Sequence, residues 1–429
     1  MNNKSLLRGG TVNLNGDLIE ADVLIADGRV EAIGMHLPET DATVYDVTGM
    51  LVTAGLVDLH VHLRDPGQTT KETIATGSAA AARGGFTTIC AMPNVDPVPD
   101  TPARIAHMVQ RNHHEGAVHI KQYASITMNR QAGDVVDYAG VKAAGAIAVS
   151  NDGNGIQSAD TMMQALLGAK AAGLPLAEHV EEDSLKHDGV ISAGATADAL
   201  GVPGLVPSIE TSQLARDLAL AQAVDAPYHV CHLSTATSVA MVRAAKKAGV
   251  RVTAEVTPHH LLLSDTDIPG NDANYKMNPP LRTPSDCAAL LEGLRDGTID
   301  CIATDHAPHT DDEKAQGLCG APNGITGSET AFAALYTAFV AGPSPKCQLT
   351  DLLKWLSFAP ADIFGMNAGK LLPGEAADIA VFDLKNGETL QATDFVSKGH
   401  NNPFVGRKLY GNTVYTFVDG QLAYAKGQA

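Results

Sequence analysis

Ten residues from Asp58 to Gly67 read Asp-Leu-His-Val-His-Leu-Arg-Asp-Pro-Gly. Taken as a β-strand, in which successive side chains face opposite ways, the run puts Asp58, His60, His62 and Arg64 on one side and Leu59, Val61 and Leu63 on the other. Two imidazoles at i and i+2 make a poor packing surface but a good pair of metal ligands, and the guanidinium that follows is suited to gripping an anion. A lone His-x-His is also what a solvated strand face produces, so metal chemistry requires matching ligands from other strands. Four more residues supply them. His179 ends the run Gly-Leu-Pro-Leu-Ala-Glu-His, His232 ends Tyr-His-Val-Cys-His, Asp305 ends Ile-Asp-Cys-Ile-Ala-Thr-Asp, and Asp152 ends Ala-Ile-Ala-Val-Ser-Asn-Asp.

These residues need a scaffold that brings strand ends together. Between residues 54 and 366, short apolar runs alternate with Ala-rich helical stretches, the pattern of a parallel sheet with crossover helices. Strands are expected to end near His62, Asn94, Thr127, Asp152, His179, His232, Thr257 and Asp305, with helices over 73–83, 102–112, 159–172, 212–223, 238–247 and 285–295. Eight such units predict a closed (β/α)8 barrel, whose chemistry lies at the C-terminal ends of its strands. The two chain ends look different. Residues 1–53 and 367–429 are short β-like runs punctuated by Asp27-Gly28 and Asp419-Gly420, which are strong hairpin signals. They predict one small β-sandwich built from both ends.

Four histidines and two carboxylates at the rim of one barrel exceed what capped turns account for. Other histidines do not share that placement. His107, His113, His114 and His187 lie in or beside helical stretches and are expected on the surface, His229 is out of phase with His232 and is expected to face the helices, and His259 and His260 are expected to be structural.

Composition excludes several classes. With 45% hydrophobic and 18% charged residues the chain can fill a large core. A formal net charge of -18 and the lack of a Lys/Arg cluster argue against nucleic-acid and anionic-membrane partners. The first residues lack the apolar core of a signal peptide and no run approaches a transmembrane length, so the expected location is cytoplasmic. The six cysteines are widely spaced and are expected to be reduced, with Cys90, Cys231 and Cys301 as small buried hydrophobes.

Asp-Leu-His-Val-His-Leu-Arg and Ala-Thr-Asp-His-Ala-Pro-His-Thr-Asp-Asp-Glu-Lys together resemble the two signatures of the dihydroorotases, within the amidohydrolase superfamily. The resemblance covers nearly the whole chain and implies reversible closure of N-carbamoyl-L-aspartate to dihydroorotate with loss of water. It further implies two zinc ions per chain, with His60, His62 and Asp305 as ligands of one, His179 and His232 as ligands of the other, and Asp152 between them. Substrate contacts would come from His62, Arg64, Asn94, Asn278 and His309, with Asn323 and Gly324 contributing backbone. The family implies a small-molecule substrate, a homodimer, and an association with aspartate transcarbamoylase. Many superfamily members bridge their metals with a carboxylated lysine from the fourth strand. Here that run contains no lysine, and Asn151 stands where relatives often carry a second acid. Ala54, Val180 and Ser328 are smaller departures that remove no ligand.

Opening a cyclic amide at neutral pH needs a strong nucleophile, and zinc supplies one by lowering the pKa of water from about 15.7 to about 7. Asp305 would then take a proton from the attacking group and hand it to the departing ring nitrogen. The anionic substrate must be attracted locally, by Arg64 with His309 and Asn94. Residues 309–324, with Gly317, Gly320 and Gly324, read as a loop and as a candidate lid. The rival activities are allantoinase and hydantoinase, whose rings lack the carboxylate that Arg64 would bind. A rival of another class is an inactive homologue that scaffolds aspartate transcarbamoylase, which loss of ligands would mark; no ligand is missing.

Overall fold

A computed structural model describes residues 4–427 of the chain. Eight parallel strands run in the expected order: Leu56–Val61, Phe86–Ala91, His119–Ala124, Ala146–Val149, Ala177–Glu178, Tyr228–Val230, Val252–Val256 and Cys301–Ile302. The first four pair in sequence, and so do the last four. Single bridges from Val149 to Leu176 and from Val61 to His306 join the two halves and close the barrel.

Four of the crossover helices begin where the chain offers a capping threonine. Thr73, Thr101, Thr235 and Thr283 each accept a backbone N–H at the start of Ile74–Arg83, Pro102–Glu115, Ala236–Lys247 and Pro284–Arg295, two of which also carry proline in the first turn. Ile105, Met108, Val242 and Leu290 on these helices, with Leu166 of the helix Ala159–Ala172 and Leu214 of Ser208–Val224, pack with outward strand residues in one large core. A separate cluster gathers Val57, Leu59, Cys90, Tyr123, Ala148, Ala177, Cys231 and Cys301. Residues from so many strands around the circle can meet only inside the barrel. Ala361 and Phe364, in and just after the helix Phe358–Ile363, join this cluster, with the Phe364 ring 5.9 Å from Tyr123.

The first strand departs from simple alternation. Its pairing with the second strand shifts register between Asp58 and Val61, and Leu59 turns into the barrel while Val61 and Leu63 join the outer core. Asp58 therefore does not share the face of the histidines. It is buried and accepts hydrogen bonds from the Thr304 amide (3.0 Å) and hydroxyl (2.6 Å), tying the first strand to the chain leaving the eighth.

Both chain ends enter one eight-stranded sheet, in which Leu51–Ala54 pairs antiparallel with Ile379–Asp383. Asp27 and Gly28 have φ of 49° and 78°, and Asp419 and Gly420 have 46° and 71°, the left-handed pairs that tight hairpins require. The sheet curls around Leu7, Val23, Val52, Val381 and Phe417. Hydrogen bonds from Val30 N to Glu375 O and from Ala377 N to Gly28 O tie its edge strand Arg29–Gly34 to the chain before Ile379–Asp383. Residues 385–411 leave this sheet to meet the barrel, where Ser397 bonds Glu72 and the Asn401 and Asn402 side chains bond backbone between Ala307 and Thr326. All six cysteines are free, with Cys90, Cys231 and Cys301 buried. Among the described residues no helix is long and apolar enough to cross a membrane.

Candidate metal centre

Apart from His60, within its strand, the expected ligands lie just past strand ends. Three of the residues singled out there have left-handed backbones: Arg64 (φ 59°), His232 (32°) and Asp305 (48°). Non-glycine residues rarely adopt this conformation, and it clusters at functional sites. It lets His232 follow an inward Cys231 and still turn into the barrel mouth. It likewise places Arg64 by a turn, where strict alternation would have placed it by the pleat.

All six side chains are brought together, and all are buried. Asp152 is the hub. Its Oδ1 lies 3.3 Å from His60 Nε2, 3.4 Å from His232 Nε2 and 3.7 Å from His179 Nδ1, and its Oδ2 lies 3.4 Å from His62 Nε2. Asp305 Oδ1 is 3.0 Å from His62 Nε2 and 3.5 Å from His60 Nε2, and His179 Nδ1 is 2.9 Å from His232 Nε2. Ligands at 2.0–2.1 Å around a tetrahedral zinc are about 3.3–3.4 Å apart. The spacings around Asp152 and Asp305 bracket that value, so His60 with His62 and Asp305, and His60 with Asp152 and His232, could each hold a metal ion.

Electrostatics agree. His60 Nε2 is buried without a hydrogen-bond partner at the centre of the group. Burial opposes charge on His60, but Asp152 and Asp305 outweigh it and raise its pKa well above the ordinary value. Burial likewise disfavours the charged form of both carboxylates, yet the neighbouring imidazoles, His60 foremost, hold both well below the usual range. Two ionised carboxylates in a buried cage call for a cation.

Residues that sequence reasoning passed over fix the tautomers. The Nδ1–H of His60 donates to Glu255 (2.8 Å), leaving Nε2 toward Asp152 and Asp305. Glu255 also accepts from His229 Nε2 (3.2 Å) and from the His232 amide (3.4 Å), so one carboxylate braces ligands on both sides of Asp152. His229 thus corrects an expectation. It faces the barrel interior, against Phe364, because Tyr228 and Val230 are the residues that pack outward. On the other side, His179 Nε2 faces Glu181 (3.4 Å), which Lys186 and Asn278 also bond. One signal was available: Glu255 stands inside the apolar strand Val252–Val256, and a buried carboxylate needs partners. The expected structural role of His260 is seen in its bonds to Thr257 and Pro279 O, whereas His259 Nε2 is buried without a partner. His107, His113, His114 and His187 are exposed, as expected.

The expected substrate contacts line the same mouth. Arg64 is buried, within 3.3 Å of Pro308 O and of His309 Nε2; burial pulls its pKa down to about 10, still cationic at neutral pH. Asn94 accepts from His62 Nδ1–H (2.8 Å), and Asn278 lies 3.3 Å from His179. His309 Nε2 lies 2.8 Å from Asn323 O and its Nδ1 3.2 Å from Glu313 Oε2, while burial together with Arg64 lowers its pKa to about 3. Gly324 has φ 133° and lies so close to Ala307 and His309 that a Cβ would meet the Ala307 Cβ at 2.8 Å. Its N–H donates to Lys276 O. The segment expected as a loop carries two short helices, Asp311–Lys314 and Gly317–Gly320. It is pinned from within: the buried Lys314 Nζ reaches Lys276 O, Pro322 O and Gly324 O.

Residues 49–238 match the family described as dihydro-orotase-like. The chain is 54% identical to a dihydroorotase of Lactobacillus leichmannii, covering 98% of both chains, and 55% identical to one of Lactiplantibacillus plantarum, covering 98% of this chain and 99% of the relative. Among solved structures it resembles the dihydropyrimidinase of Brevibacillus agri NCHU1002, with a TM-score of 0.86 at 26% identity over 99% of this chain and 96% of the other.

Proposed function

The chain belongs to the dihydroorotase family, and from that membership we propose that it catalyses the reversible closure of N-carbamoyl-L-aspartate to (S)-dihydroorotate with loss of water, a step of pyrimidine synthesis. The observation that carries this reading is the convergence of four imidazoles on the single carboxylate of Asp152, with Asp305 and the buried cation Arg64 beside them. Two zinc ions held by His60, His62, Asp152, His179, His232 and Asp305 would supply the Lewis acidity that makes water nucleophilic near neutral pH and polarises the amide carbonyl. Asp305, kept ionised by the imidazoles around it, accepts a proton from the attacking water and delivers it to the ring nitrogen as the amide opens. Ring closure begins with that carboxyl protonated.

Arg64 offers a planar fork to the substrate carboxylate. Asn94 and Asn278 present amides at the same mouth, and His309 stands beside Arg64 to complete the grip on the carboxylate. Backbone at Asn323 and Gly324 completes this wall. The same membership supports a homodimer working in the cytoplasm, where it can associate with aspartate transcarbamoylase, and a division into a catalytic barrel over 54–366 and a second domain from 1–53 and 367–429.

A hydantoinase reading has one observation in its favour, the shared fold with the dihydropyrimidinase. Hydantoin, however, has no carboxylate for Arg64, and the likeness is far weaker than the 54–55% identity to dihydroorotases. Purified protein assayed side by side on dihydroorotate, hydantoin and allantoin is expected to open dihydroorotate with by far the highest kcat/KM. Preference for either uncharged ring would overturn the proposal.

A further inference from the structure

Three side chains outside the group at the barrel mouth meet at the seam between barrel and end sheet. His119 opens the third barrel strand, His119–Ala124; Asp378 immediately precedes Ile379–Asp383; and Asp419 begins the turn between Asn412–Val418 and Gln421–Ala425. His119 Nε2 lies 3.3 Å from Asp378 Oδ2 and 3.5 Å from Asp419 Oδ2. These separations are again close to the roughly 3.3–3.4 Å between neighbouring ligands of a tetrahedral zinc. The three donor atoms all lie within 4.8 Å of one another. None of them has a part in the chemistry at the barrel mouth.

The donors are held in place by backbone contacts. Asp378 is buried, and its other oxygen accepts the Asp419 N–H (2.8 Å), which directs Oδ2 toward His119. Gly55 N–H donates to Asp378 O and Gly420 N–H to Ala377 O, fixing both acids relative to the sheet. Asp419 sits in a left-handed turn position, and His119 is paired with Thr88 of the second strand. A cavity of about 400 Å³, lined by His113, His119, Lys121 and Asp419 among others, adjoins the group and gives an ion access to it.

We propose that His119, Asp378 and Asp419 form a second, surface-accessible site for a divalent transition-metal ion of the zinc type, which clamps the barrel to the end sheet. One imidazole with two carboxylates is a donor set for Zn²⁺ or Mn²⁺ more than for a thiolate-seeking ion. The site is independent of the catalytic reading. The competing explanation is an ion pair in which a protonated imidazole sits between the two acids.

The test starts from holoenzyme loaded with zinc until activity is constant. Wild type, His119→Gln and Asp419→Asn are then dialysed to equilibrium against rising Co²⁺, and total zinc plus cobalt per chain is counted. Asp419→Asn keeps a turn residue that tolerates the left-handed backbone while removing the charge. Wild type is expected to hold one more ion per chain than either variant, and added metal should raise the thermal midpoint of wild type only. Ring-opening rates should be the same in all three proteins, which shows the barrel intact. Equal metal content in the three proteins at every concentration would overturn the proposal and leave the cluster as a histidine ion pair.

Discussion

Under the proposed reaction, Arg64 is the residue that tells dihydroorotate from an uncharged ring, because only the former brings a carboxylate to its buried guanidinium. A charge-assisted hydrogen bond contributes roughly 1.5 to 3 kcal/mol, and about 1.4 kcal/mol is a factor of ten. Arg64→Met is therefore expected to lower kcat/KM for dihydroorotate at least about tenfold while costing little for an uncharged cyclic imide. Steady-state kinetics on both substrates read this as a shift of the ratio toward the imide. Equal losses on both would mean that Arg64 holds up the metal cage and does not read the carboxylate. Behind the ligands, Glu255 braces His60 and the His232 backbone. Outer partners of this sort contribute about 10- to 100-fold to metal affinity or activity, so Glu255→Gln should weaken zinc retention in competition with a chelator by about that factor. Unchanged retention would reduce Glu255 to packing. The ligands themselves were legible because histidine and aspartate are conspicuous at the ends of apolar runs. Glu255, Glu181 and His229 were not, since their partners lie on neighbouring strands whose side-chain orientation only the fold defines.

The strand ends carry the geometry at the next scale. Alternation along 58–64 reads correctly for His60 and fails for Asp58 and Leu59, because a register shift with the second strand interrupts the pleat. Left-handed turns at Arg64, His232 and Asp305 were equally hidden, since none of these residues is a glycine that would announce a positive φ. Gly324 is the case where the residue type does give notice. A methyl there would press on Ala307 and approach His309 at 3.2 Å in a backbone that side chains rarely adopt. Gly324→Ala is expected to destabilise the protein by about 1–3 kcal/mol, measured by denaturant unfolding, and to raise KM for dihydroorotate through the displaced His309. Wild-type values for both would mean that residues 309–324 relax more easily than the anchored Lys314 implies.

Across the whole molecule, the eight strands and the shared terminal sheet were legible because each leaves a local pattern: apolar runs alternating with alanine-rich stretches, and Asp-Gly turns near both ends. Closure was not, because the bridges Val149 to Leu176 and Val61 to His306 join residues whose pairing no local pattern records. The excursion of residues 385–411 onto the barrel was hidden for the same reason: Asn401 and Asn402 act through backbone groups far away in sequence. This architecture brings six imidazole and carboxylate side chains to one point, and under the proposed function two zinc ions held there carry out the ring chemistry. The most direct measurement is to strip the protein by prolonged dialysis against chelator, verify the metal content by elemental analysis, and follow dihydroorotate opening as zinc is returned stepwise. The metal-free protein should be inactive, and activity should rise to its plateau at two equivalents per chain. A plateau at one equivalent would remove the bridging role of Asp152, and full turnover by protein shown to be metal-free would contradict the account altogether.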